Sequence, residues 1–291
     1  LAASRPPSPS PPLLATKFTP VPWRTSPEDV VAACRASAER LGVPRVDLYQ
    51  IHMPDVIQPF RTLGVSQPKD EVYWEGLARC VEQGLAREVG VSNYGPTLLA
   101  RAHAALGQRG VRLSTNQIAF SLLYRRQGAQ ATVDACKELG VTPLAYYPLA
   151  MGLLSGKFRA PGRDPAGGPG RLPADRGLWP YLLGDRRRGI PPEGVAPLLA
   201  ALDAVAAARG RTPAQVALNW VICQGALPVA GATRPETVRA NAGAVGWRLT
   251  AEECLLLEAA ADGCGFEFEG AGAKASDGKF VGYGFERWTL D

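Results

Sequence analysis

Val46-Asp47-Leu48-Tyr49-Gln50-Ile51-His52 is a short apolar run closed by Met53-Pro54. A run of this length between turn residues reads as a strand buried in a parallel sheet. The same reading holds for Leu13 to Phe18, Glu88 to Ser92, Leu113 to Phe120, Val141 to Tyr147 and Leu227 to Gly231. Helical patterns lie between and after these runs, near Pro27 to Leu41, Asp70 to Gln83, Pro96 to Leu106 and Gln127 to Leu139. Four more follow, at Val195 to Ala208, Pro213 to Cys223, Pro235 to Val245 and Ala251 to Ala261. Ser26-Pro27 and Thr212-Pro213 each supply an N-cap followed by proline at the first helical position. Alternating strands and helices predict an α/β fold with a parallel sheet and right-handed crossovers.

The 291 residues suit one domain with tails. With 46% hydrophobic and 20% charged residues, and no apolar run of about 18, neither disorder nor a membrane span is expected. The net charge is +5, but Arg186-Arg187-Arg188 is the only dense basic run, so nucleic acid is not an expected partner. The six cysteines include no C-x-x-C pair, which predicts reduced, mostly buried thiols. With His52 and His103 the only histidines, no metal site is expected.

Leu1 to Pro12 reads as a disordered Pro/Ser-rich lead-in, neither a signal peptide nor a complete transit peptide. Residues 13–262 form the expected domain. Arg159 to Pro192 reads as a long surface loop of the kind that covers ligands. Gly263 to Asp291 is a Gly-rich extension whose aromatic residues are expected to pack back on the body.

In a parallel α/β architecture, ligands bind where the strand C-termini converge. Lys17 and His52 end the first two strands, where an ammonium beside an imidazole is able to polarise a carbonyl oxygen. Position alone fits a satisfied polar residue at a strand end equally well. Ser92-Asn93 and Asn116-Gln117 also lie on strands or at their ends. Amides offer donor and acceptor together, which suits a carboxamide ligand and, just as well, a turn cap.

Leu14-Ala15-Thr16-Lys17-Phe18, Val46 to His52, Val89-Gly90-Val91-Ser92-Asn93-Tyr94, Asn116-Gln117 and Ala145-Tyr146-Tyr147-Pro148-Leu149 with Gly152 to Lys157 resemble the aldo/keto reductase family in order and spacing. Ala217-Leu218-Asn219-Trp220 and Pro228 to Asn241, leading into Gly246-Trp247, extend the resemblance over about Leu13 to Asp262. Ala15 to Phe18 followed by Pro22-Trp23-Arg24 is similar to plant and algal plastid-type members, which implies a chloroplast location, with cytoplasm as the alternative.

The resemblance implies a (β/α)8 TIM barrel that binds NADP(H) and passes a hydride to an aldehyde or ketone, a small carbonyl substrate. Within the family's Asp-Tyr-Lys-His tetrad it makes Lys17 the lysine that lowers the tyrosine's pKa and His52 the histidine that orients the carbonyl. Ser92, Asn93 and Gln117 fall where the family holds the nicotinamide carboxamide, and Tyr146 where a ring stacks on the nicotinamide. Tyr147, Leu149, Gly152, Lys157, Gly231, Thr233, Arg234 and Asn241 complete the implied cofactor path.

The chain also departs from the pattern. The family's Asp and Tyr lie in a D-T-A-x-x-Y block upstream of the lysine strand, and no such block occurs in this chain. The six strands match the family's third to eighth, so a truncated gene product is expected ahead of an evolved loss of catalysis. The alternative function is a non-catalytic, cofactor-binding or regulatory barrel. Six staves would leave two unpaired edges and invite self-association. Thr237 stands where many NADP-dependent relatives carry a phosphate-binding arginine. Arg234 and Arg239 are placed to reach a 2′-phosphate instead, although solvated residues at a helix start fit equally. Tyr147 in place of serine, Met53 in place of tryptophan and an apparent insertion from Asp55 to Lys69 alter the expected substrate mouth.

Overall fold

The computed structural model describes residues 12–55, 70–126, 128–156, 192–264, 279–282 and 286–289. Each crossover helix returns the chain to start the next strand beside the last. The units run β1 (Ala15–Phe18), α1 (Pro27–Leu41), β2 (Val46–Ile51), α2 (Asp70–Glu82), β3 (Ala86–Ser92), α3 (Pro96–Gln108), β4 (Leu113–Ala119), α4 (Ala129–Glu138) and β5 (Thr142–Tyr146). Two 3-10 turns (Ala150–Ser155 and Pro192–Val195), α5 (Ala196–Arg209) and α6 (Pro213–Cys223) precede β6 (Leu227–Val229), with α7 (Pro235–Ala242) and α8 (Ala251–Asp262) after it. The six strands pair in parallel, in sequence order. They form the half-barrel of a (β/α)8 fold, with β1 and β6 as the outer strands among the described residues.

Helix starts follow the sequence. Ser26 caps α1 through the Asp29 N–H at 3.3 Å, while the Asp29 carboxylate accepts from the Ser26 N–H at 2.9 Å. Thr212 with Gln215, and Thr250 with Glu253, repeat this reciprocal cap on α6 and α8.

Two apolar clusters lie between sheet and helices. One joins Phe18, Tyr49, Ile51 and Val89 to Val30, Tyr73, Leu77 and Leu99 of the first three helices. The other joins Ile118, Phe120 and Ala145 to Leu198, Leu202 and Trp220, with Phe120 and Trp220 stacked at 5.3 Å. Each buried Leu- or Phe-sized side chain contributes about 1.5–3 kcal/mol, so this helix-facing layer carries most of the apolar stabilisation.

The inner face is more polar. Gln50 on β2 donates its amide to Val91 O at 3.2 Å and to Thr115 Oγ1 at 3.1 Å, bridging β2, β3 and β4. Gly90 lies within this bridge, where a Cβ would come 2.0 Å from Thr115 Oγ1. Only glycine fits there, and the β3–β4 register shifts beside it, between Val89 and Gly90.

The lead-in through residue 11, most of the expected long loop and most of the C-terminal extension lie outside the described residues. Within the extension, β7 (Lys279–Gly282) and β8 (Glu286–Thr289) pair antiparallel, a hairpin that the glycine content of this stretch hides from a composition reading.

Candidate active site

Parallel register carries the predicted residues to one end of the sheet. Lys17 pairs in register with Gln50, His52 lies one residue beyond β2, Ser92 pairs with Gln117, and Tyr146 pairs with Ala119. Burial lowers the Lys17 ammonium below its ordinary pKa. His52 is lowered as well, first by burial and then by the charge of Lys17, which places the two side chains in one electrostatic neighbourhood. The His52 ring therefore favours its neutral form. Thr19 Oγ1 stands 3.5 Å from His52 Nδ1, at the outer limit of a hydrogen bond.

Asn93 knits the strand ends together. Its Nδ2 donates to His52 O at 3.1 Å and to Ser92 Oγ at 3.2 Å, and its Oδ1 accepts from the Tyr146 hydroxyl at 2.7 Å. Ser92 Oγ donates in turn to Gln117 O at 2.7 Å. The backbone at Asn93 is left-handed (φ +63°), as it is at Tyr147 (+55°) and Ala150 (+46°). These are the only non-glycine residues with positive φ among those described; Asn93 and Tyr147 directly follow strand ends, and Ala150 opens the 3-10 turn after β5. Asparagine tolerates this conformation well, but Tyr147 and Ala150 store strain of the kind that clusters at functional sites.

The amides divide the work. Those of Asn93 are spent within the site, whereas the Gln117 side chain is buried with no partner among the described residues and keeps both donor and acceptor. Asn116 belongs elsewhere: its Nδ2 donates to Tyr94 O at 2.8 Å. Neighbouring strand residues face opposite sides, so the Asn116-Gln117 pair read from sequence splits between the helix layer and the inner face.

Tyr147 meets Tyr146 edge-on at 5.0 Å, and Leu149 caps the 3-10 turn that contains Gly152. Lys157 lies outside the described residues. At the far end Gly231 and Thr233 are exposed, and Arg234 occupies the N-cap of α7, a helix with no buried residue that also carries Asn241 and Arg239. Arg234 lies exposed at the helix N-terminus and Arg239 exposed in its last turn.

The sequence did not point to the cluster behind Asn93. Tyr94 donates its hydroxyl to Asp70 Oδ1 at 2.6 Å and accepts from Trp74 Nε1 at 3.1 Å, and Asp55 N–H faces both Asp70 oxygens at 3.3–3.4 Å. Burial raises the Asp70 carboxyl to about 6 despite the hydrogen bonds it accepts. These contacts join residues 15 to 24 positions apart and leave no local motif.

The aldo/keto reductase family model matches residues 1–262. The chain is 39% identical over 249 residues to the chloroplastic pyridoxal reductase of Arabidopsis thaliana, covering 86% of this chain and 62% of that protein. It is 35% identical over 228 residues to an uncharacterised oxidoreductase of Mycobacterium tuberculosis, covering 78% of this chain and again 62% of the relative. The chain thus spans a little over three-fifths of the length of these relatives. Among solved structures, a Bombyx mori aldo-keto reductase in complex with NADP superposes with a TM-score of 0.59 at 23% identity, over 85% of this chain and 67% of that one. The fold, the convergent strand ends and the family match agree: this chain belongs to the aldo/keto reductase family.

Proposed function

We propose that this chain binds NADP(H) along the strand ends and takes part in hydride transfer from NADPH to an aldehyde or ketone. The observation that carries the reading is the Ser92–Asn93–Tyr146 network with the buried Gln117 amide on β4, unpartnered among the described residues and at the same end of the sheet as Lys17 and His52. NADPH supplies the hydride when bound. Gln117 and Ser92 hold the carboxamide, Tyr146 faces the ring, neutral His52 orients the carbonyl, and Lys17 supplies positive charge near the developing oxyanion. Arg234 and Arg239 hold the 2′-phosphate. The kinship with a pyridoxal reductase makes pyridoxal the first aldehyde to test and supports a chloroplast location.

A second reading, a cofactor-binding barrel without turnover, is favoured by the tyrosine hydroxyls near the site. Tyr146 and Tyr94 donate to Asn93 and Asp70, which leaves neither as a ready proton donor. NADPH consumption by the chain with pyridoxal and simple aldehydes decides between them. Carbonyl-dependent oxidation that Lys17→Met abolishes supports the reductase, and saturable NADPH binding without oxidation supports the second reading. Exposure of Leu227 and Val229 on β6, at 57% and 43%, supports self-association through the sheet edges. Size-exclusion chromatography tests it, and a monodisperse monomer at every concentration rejects it.

A further inference from the structure

Two pairs of thiols stand close together in this fold, and they differ in access. Cys34 on α1 and Cys80 on α2 neighbour each other with no exposed surface at all. Cys223 in the last turn of α6 and Cys254 in the first turns of α8 are half-buried neighbours. Both line an open cavity of about 540 Å³, walled also by Arg248, Leu249 and Thr250. No residue of the candidate active site lines it.

We propose that Cys223 and Cys254 form a reversible dithiol–disulfide site, oxidised by a small-molecule disulfide admitted through this cavity. The Cys223 thiolate attacks one sulfur of that disulfide and expels a thiolate, which takes up a proton. Cys254 then loses its proton and attacks the Cys223 sulfur, expelling the second thiol. Two electrons and two protons pass from the pair to the oxidant. Burial and the neighbouring Cys223 hold the Cys254 thiol up at about 12, so the first attack falls to Cys223. The mixed disulfide then removes the charge at Cys223 and eases ionisation of its partner.

The bridge would fasten a seam already built by Asn219. That side chain donates to Ala244 O and Trp247 O at 2.8 and 2.9 Å and accepts from the Leu249 N–H at 2.9 Å and from the Cys223 thiol at 3.4 Å. It thereby ties α6 to the connection between α7 and α8.

The test incubates the folded chain with oxidised glutathione, quenches in acid, alkylates the free thiols and maps the peptides. The expected product is a Cys223–Cys254 disulfide, with the loss of two hydrogen atoms, reversed by dithiothreitol. Cys34 and Cys80 should be alkylated only after unfolding. Cys254→Ser should instead retain glutathione on Cys223. A glutathione adduct that persists on Cys223 in the unmodified chain, no reaction at either residue, or a Cys34–Cys80 bridge in its place would each overturn the proposal.

Discussion

At the ends of β3 to β5, Ser92, Asn93 and Gln117 are buried and the side chains of Ser92, Asn93 and Tyr146 are linked by hydrogen bonds, whereas α7, proposed to meet the adenosine phosphate, buries nothing. The difference follows from position in the sheet. Ser92 and Gln117 sit on β3 and β4, interior strands flanked on both sides, and the polar bridge from Gln50 to Thr115 lies beneath them. The residues before α7 follow β6, three residues long and, among the described residues, paired on one side only. One end is therefore preorganised, with its geometry set before ligand arrives. The other offers charge on an exposed surface that salt screens.

The largest expected effect lies at the rigid end. Where the chain turns over a carbonyl, Lys17→Met and His52→Ala should each lower kcat by about 100-fold or more, the usual scale for acid–base partners. Steady-state NADPH oxidation measures it, and near-normal turnover in either variant would remove that residue from the chemistry. Next comes Gln117→Ala, which should weaken NADPH and NADH alike by about tenfold, the equivalent of one well-made buried hydrogen bond. Unequal losses would break the assignment of Gln117 to the carboxamide, because that group is common to both cofactors.

At the open end, Arg234→Ala should weaken NADPH several-fold and leave NADH nearly unchanged, with a loss that shrinks as salt rises. Isothermal titration at two ionic strengths checks this, and equal weakening of both cofactors would deny Arg234 the 2′-phosphate. The smallest effect concerns His52. Its ring should titrate below the ordinary 6.5, and Lys17→Met should move it upward by removing a positive neighbour. Because the unfolded chain takes the proton more readily, this group costs stability as pH falls through 6.5. Ring resonances followed by NMR across acidic pH would show the shift, and an unchanged His52 in Lys17→Met would separate the two side chains.

Much of this architecture is legible in the sequence, because each strand carries apolar residues to pack against the helices between turn residues that end it. Val46 to Ile51 and Leu113 to Ala119 fall where their apolar runs place them. The outer strands are shorter than their runs. Leu13 is 76% exposed and precedes the first β1 pairing at Ala15, and Gly231 extends beyond the last β6 pairing at Val229. Lys17, His52 and Ser92 were findable as polar residues ending apolar runs. Asn116 takes the turn-cap alternative that the sequence left open, bonding the Tyr94 backbone, because adjacent strand positions face opposite ways in space. Thr19, Gln50 and Asp70 act through partners 15 to 65 residues distant, which no local pattern encodes. The open end was legible only through family resemblance, since exposed residues on a short helix carry no packing signature.

The central claim is that the strand-end network is a working cofactor site. Titrating the folded chain with NADPH while following the cofactor's own fluorescence tests it most directly. Saturable enhancement that NADP+ competes away, and that Gln117→Ala weakens, is the predicted result. A folded chain that leaves NADPH fluorescence unchanged at all concentrations would contradict it.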